Sequence, residues 1–233
     1  PTTNDLATIL TSLSILKGRA NLNDAMIIDG EGVMRLNLVG HDNVLDGTDH
    51  ETLMEVMVTR QPALTGLHPH VGDARPHVDV VAPLVSAEGK VIGAVIIETD
   101  AGTWLYPTLA SWPTAARTPE TLLVRREGDD VLFLNELRHQ PDTALKLRIP
   151  LSRRDVPAVC ALLGHEGVFE GKDYRGVDVL AVIKAIPDSP WFMVAKVDAA
   201  EAFAVWRFRS VLILLVLSGA VALMVVGALL GRQ

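Results

Sequence analysis

Cysteine is almost missing from this 233-residue chain: Cys160 is the single one. No internal disulfide framework and no cysteine zinc site can be built from it. Aromatic residues make up 5%. There is no basic excess either, since the net charge is −7. Without a basic stripe, nucleic acid is excluded as a partner. No Gly-rich phosphate loop, nucleophile elbow, His-Glu metalloprotease spacing or kinase motif occurs, so no catalytic set emerges. Cys160 lies on an apolar helical pattern and reads as a small buried hydrophobe.

Charge is also missing from Ser210 to Gly231, and this absence organises the chain. The run SVLILLVLSGAVALMVVGALLG holds 22 uncharged residues. As a helix it spans roughly 33 Å, against about 30 Å for a hydrocarbon core. The expectation is one transmembrane helix, with a water-soluble body ahead of it. Gly227 and Gly231 lie four apart, as do Ser218 and Ala222, a spacing that lets helices pack closely. The chain opens at Pro1 and ends at Gln233, two residues past the run. It therefore reads as a piece of a longer protein.

In the body, Leu6, Ile9, Leu10, Leu13 and Leu16 recur at helical spacing, with Asn4 to cap and Gly18 to stop. Ala25 to Ile28 and Val33 to Leu38 flank Asp29-Gly30-Glu31-Gly32 as a hairpin-like pair. Thr48 and Glu51 form a capping box for a helix to about Gln61. Leu64 to His68 is a candidate strand, and Pro69 to Pro76 reads as a polar loop. His77 to Val85 and Lys90 to Thr99 are further strands, and Asp100 caps a short helix reaching Tyr106. Residues 107 to 119, with Pro107, Pro113 and Pro119, read as a linker.

The pattern then recurs. Leu36-Asn37 matches Leu134-Asn135. Val78-Asp79-Val80-Val81-Ala82 matches Val177-Asp178-Val179-Leu180-Ala181, and Asp100 matches Asp198. The offsets are 98, 99 and 98 residues, and a repeat is the best account. Ser152 and Asp155 are expected to cap a helix to Leu163. Trp191 to Val197 is the last strand. Asp198 and Glu201 then form a capping box, and no Pro or Gly interrupts residues 199 to 217. One continuous helix is expected from there into the membrane run. The fold class is α+β with antiparallel sheets.

These features resemble the double Cache, or PAS-like, sensor region of bacterial transmembrane receptors. The likeness extends to Trp112-Pro113-Thr114, Arg117-Thr118, Glu120 to Asp129, Phe133 to Arg138 and Asp173 to Val177. It implies a supporting helix over 1–20, a membrane-distal module over 21–106 and a linker over 107–119. A membrane-proximal module over 120–198 and a signalling and transmembrane helix over 199–231 follow. It further implies extracytoplasmic small-molecule sensing from the bacterial inner membrane. The output, beyond this sequence, would be a histidine kinase first and a diguanylate cyclase next. A homodimer and a ligand of the amino acid, carboxylate or amine class are expected. The alternative is a membrane-tethered structural or protein-binding domain.

The candidate ligand residues are His68, His70, Arg75, His77, Asp79 and Asp100. The first five gather near one loop with Asp73. They read as a solvated loop, a small-ligand pocket or a metal site; no metal or cofactor is carried forward. His77, Asp79 and Val81 share a face by the strand period of two. The recurrence of Asp79 as Asp178 points to a structural role. The resemblance implies ligand-ammonium contact at Asp100, while helix capping explains it equally. Arg125, Arg126, Glu127, Glu136 and Arg138 read as salt bridges around the second hairpin, or else as an anion site.

Overall fold

The computed structural model describes residues 3–20, 22–39, 45, 47–70, 73–113, 116–187 and 189–230. The chain divides into two compact units: residues 1–111 with 134–136 and 142–146, and the remainder.

The first unit opens with helix α1 (Thr3–Ala20) and the hairpin β1 (Asp24–Asp29) and β2 (Met34–Asn37). Gly32 turns the hairpin at φ 80°, a conformation glycine adopts without steric cost. Helix α2 (Gly47–Thr59) follows, then β3 (Ala63–Leu64), β4 (His68–His70), β5 (Asp73–Val85), β6 (Val91–Asp100) and α3 (Ala101–Ala110). The sheet order is β2-β1-β6-β5-β3, with β4 also paired to β5, and every pairing is antiparallel. Helix α2 covers one face, its Leu53 and Val56 lying against Met26, Ile28, Val81, Ala94 and Ile96.

The second unit contains β7 (Glu120–Glu127), β8 (Asp130–Phe133), β9 (Arg148–Pro150), α4 (Pro157–Leu162), β10 (Gly167–Lys172), β11 (Asp178–Ala185) and β12 (Trp191–Asp198). Its antiparallel sheet runs β10-β11-β12-β7-β8-β9. Helix α4 packs Val159 and Cys160 onto Val124, Phe133, Ala181 and Val194. Cys160 is buried there, its thiol pKa raised by that burial.

Several expectations are corrected. Residues 69 to 76 are not simply a loop: Pro69 pairs with Pro76 and His68 with His77, so β4 and β5 run into them. Ser152 and Asp155 do not cap α4. Its N-cap is Val156, and Pro157, fixed near helical φ and lacking an N–H, begins the helix. Asp198 is the N-cap of α5 (Ala199–Ala202) but makes no side-chain cap bond. Glu201 instead accepts hydrogen bonds from the backbone N–H groups of Arg117 and Thr118 and from the Thr118 hydroxyl. The continuous helix is broken at Phe203, which closes α5 before α6 (Ala204–Leu230) begins.

Helix α6 has 27 residues, and Val211 to Leu217 on it are exposed large apolar residues. Among the described residues, no helix is long and apolar enough to cross a membrane. The side chains of residues 222, 223 and 225–229, and all of Gly231, lie outside the described residues. The close-packing expectation for Ala222, Gly227 and Gly231 falls there.

Candidate functional site

The register of the first sheet collects acidic groups on one face. On β5 and β6, His77 lies opposite Asp100, Asp79 opposite Glu98 and Val81 opposite Ile96. Strand β1 adds Asp24 opposite Glu98, Met26 opposite Ile96 and Ile28 opposite Ala94. Residues directly opposite share a face, as do alternate residues along a strand. The face is therefore divided. Its apolar half is the core under Leu53 and Val56. Its polar half carries Asp24, His77, Asp79, Glu98 and Asp100. Helix α2 contributes Asp49, which shares a helix face with Leu53 and Val56 by the spacing i, i+4, i+7, and β4 contributes His68.

All five carboxylates are 0–7% exposed. Asp100 uses both oxygens: Oδ1 accepts from the Gly102 N–H at 2.7 Å, capping α3, and Oδ2 accepts from Arg75 at 3.0 Å. Glu98 Oε1 accepts from the Asn23 amide at 3.1 Å and lies 3.2 Å from His77 Nδ1. Asp24 Oδ1 accepts from the N–H groups of Ala25 and Val39. His68 Nε2 is 3.4 Å from Asp79 and 3.9 Å from Asp49. Among the described residues, the ion pairs reaching these carboxylates come from Arg75, His68 and His77. Arg75 stands at the rim, its side chain 58% exposed, and no buried lysine or arginine is described in this unit. Grouping buried carboxylates is costly unless they are paired or hydrogen-bonded.

Near this group, Tyr106 donates its hydroxyl to the Leu134 carbonyl at 2.6 Å. Burial first, then the charges of Glu136 and Asp100, push the phenol well above its ordinary pKa. It stays neutral and remains a donor.

The second unit resolves the same problem internally. Lys196 on β12 lies opposite Glu120 on β7, as Glu98 on β6 lies opposite Asp24 on β1. Its ammonium is buried and lies 2.8 Å from Glu120 Oε2 and 2.9 Å from Asp173 Oδ2. Tyr174 donates to Glu120, and Arg175 pairs with both Asp173 and Asp198. Burial pulls the Asp173 carboxyl upward, but hydrogen bonds from Arg175 and Lys196 outweigh it and leave its pKa below the ordinary value.

Of the residues expected from sequence, His68, His77, Asp79 and Asp100 are brought together, with Arg75 beside Asp100. His70 belongs to β4, but its side chain lies outside the described residues. Asp24, Asp49 and Glu98 were missed. The equation of Asp79 with Asp178 is corrected. Asp79 lies opposite Glu98, while Ala181 lies opposite Lys196. Asp79 therefore answers to Ala181, and Asp178, three residues earlier, has a side chain 75% exposed. Arg125 pairs with Glu127 around the second hairpin, as expected, while Arg126 pairs with Asp129 and Glu127 also pairs with Arg148, which was not among the expected residues. Glu136 and Arg138 instead bind nearby backbone, Glu136 at Thr143 and Ala144 and Arg138 at the Pro119 carbonyl.

No protein-family model matches the chain, and no curated protein matches its sequence. Solved structures do match. The extracellular domain of rpHK1S-Z16, described as a histidine kinase, superposes with a TM-score of 0.61 at 13% identity, over 84% of this chain and 79% of that one. The extracellular domain of mmHK1S-Z2, also described as a histidine kinase, gives 0.58 at 16%, over 85% and 82%. The ligand-binding domain of the amino acid chemoreceptor PctB of Pseudomonas aeruginosa PAO1, in complex with L-Arg, gives 0.54 at 14%, over 79% and 75%. The likeness is one of fold, shared with extracellular and ligand-binding domains of histidine kinases and a chemoreceptor.

Proposed function

We propose that this chain is the extracytoplasmic sensing part of a bacterial membrane receptor, and that its ligand is a small molecule bearing an ammonium group, such as an amino acid or amine. One observation carries the reading. Asp24, Asp49, Asp79, Glu98 and Asp100 are buried together in the first unit, and the second unit fills the corresponding place with the Lys196 ammonium. The amino acid ligand in the PctB structure agrees with it. In this reading the exposed Arg75, which also pairs with Asp100, meets a ligand carboxylate.

The second unit has its charges paired inside and takes no ligand in this account. Beyond it, the uncharged run Ser210 to Gly231 anchors the receptor in the inner membrane as a homodimer. The output is a histidine kinase, or next a diguanylate cyclase. Ligand binding moves the receptor between states only by its difference in affinity for them.

The test is a thermal-shift screen of the full chain in detergent against amino acids, amines and simple carboxylates. A stabilising amine or amino acid is expected, with the shift lost in the His77→Ala, Asp100→Ala double variant. Silence across the screen would favour a tethered structural domain, and a shift unchanged in the double variant would place the pocket elsewhere.

A further inference from the structure

Asp49, His68 and Asp79 meet inside the first unit from three separate elements: the first turn of α2, strand β4 and strand β5. One donor atom from each lies within 4.8 Å of the others. His68 Nε2 is 3.4 Å from Asp79 Oδ2 and 3.9 Å from Asp49 Oδ1. Neighbouring ligand atoms around a first-row divalent ion, held at about 2.1 Å, lie roughly 3.0–3.4 Å apart. The His68–Asp79 edge already has that length.

The imidazole is set by its other nitrogen. Nδ1 lies 2.8 Å from the Gly66 carbonyl oxygen. That oxygen only accepts, so Nδ1 carries a proton. In the neutral ring the Nε2 lone pair then faces the two carboxylates. Metal-ligating histidines are held in this way, with the second nitrogen donating to a backbone carbonyl.

Asp79 supplies the independent observation. It is fully buried. Its backbone N–H donates to the Thr65 hydroxyl and its carbonyl accepts from the Thr65 N–H, which fixes the strand locally. Yet neither of its carboxylate oxygens accepts a hydrogen bond. A carboxylate fully withdrawn from water calls for a cation.

We infer that Asp49, His68 and Asp79 bind one divalent first-row metal ion, with Zn²⁺ the best fit. Mixed imidazole and carboxylate donors suit Zn²⁺ and its neighbours, whereas Ca²⁺ and Mg²⁺ prefer oxygen alone. Three protein donors leave a fourth position for water or for a donor atom of a bound small molecule. The inference goes beyond the sensing proposal, which requires no metal.

The full chain in detergent, stripped with a chelator and dialysed, is titrated with Zn²⁺ by calorimetry and with Co²⁺ by visible absorption. One ion per chain is expected, with a rise in Tm and Co²⁺ ligand-field bands. His68→Gln and Asp79→Asn, both close in shape to the original residues, should each weaken binding at least tenfold. Circular dichroism checks their fold, and the wild-type titration stands whether or not they fold. No stoichiometric binding by the wild type, as expected if His68 is an imidazolium shared by the two carboxylates, would overturn the inference. So would binding that survives both substitutions, which would locate the ion at surface histidines such as His139 and His165. Asp100→Asn separates the two proposals. It should lose the amine response and keep the metal. A wild type that answers to amines but binds no metal sinks the metal site alone.

Discussion

Glu98 and Asp24 stand directly opposite each other on adjacent strands, both buried, 2% and 1% exposed. Like charges in this position oppose sheet pairing. Glu98→Lys would place an ammonium where the second unit has Lys196. The variant should be stabilised by about 1.5–3 kcal/mol, the range for hydrogen bonds to charged groups, and should cease to respond to amines. Denaturant unfolding with and without ligand reads both effects.

Lys196 should behave in the opposite way. It is the buried cation between Glu120 and Asp173. Lys196→Met leaves two carboxylates without it and should cost about 3–5 kcal/mol. Adding Glu120→Gln and Asp173→Asn to the same chain should recover most of that loss. Urea midpoints of the single and triple variants test this.

Asp173 also sets an acid limb. Its folded pKa lies below the ordinary value, because Arg175 and Lys196 more than offset burial. The stabilisation is complete above the unfolded carboxyl pKa, about 3.9, and is lost as pH falls through the lower folded value. Melting curves between pH 7 and pH 2 should show an acid decline that is shallower in Asp173→Asn, which starts from a lower Tm at neutral pH.

The register behind the acidic face depends on Gly93. It lies opposite Asp29, and a Cβ there would fall 2.2 Å from the Ile28 carbonyl oxygen. Gly93→Ala should destabilise the first unit by about 1–3 kcal/mol through forced backbone shifts. Hydrogen exchange of β1 and β6 would localise the loss.

Much of this fold was legible because the apolar periods are strong. The hairpin of β1 and β2, the long strands β5 and β6, and the Asp100 cap of α3 all stand close to where the pattern put them. Helix breaks were harder. The change from α5 to α6 at Phe203 has no Pro or Gly to mark it. Here Glu201 is drawn to the Arg117 and Thr118 N–H groups, more than eighty residues earlier in the chain. A tertiary bond of that span has no local signature.

The site was half legible. His77, Asp79 and Asp100 could be grouped by strand parity and proximity. Glu98 has the same parity as Ile96, and Asp49 shares a helix face with Leu53, so both had a readable signal. What hid them is that charged side chains usually face solvent. The repeat misled in another way. Matching Val-Asp-Val strings aligned Asp79 with the exposed Asp178, because valine-rich strands look alike when shifted. Hydrogen-bonded register, unlike letter similarity, equates Asp79 with Ala181.

The most direct test of the account is calorimetry of the full chain with an amino acid or amine identified by screening, set against the same molecule with its ammonium replaced by a methyl group. The account predicts saturable binding of the ammonium form, loss of at least tenfold in affinity for the methyl form, and no binding of either to Glu98→Lys. Equal binding of the two forms, or undiminished binding to Glu98→Lys, would contradict it.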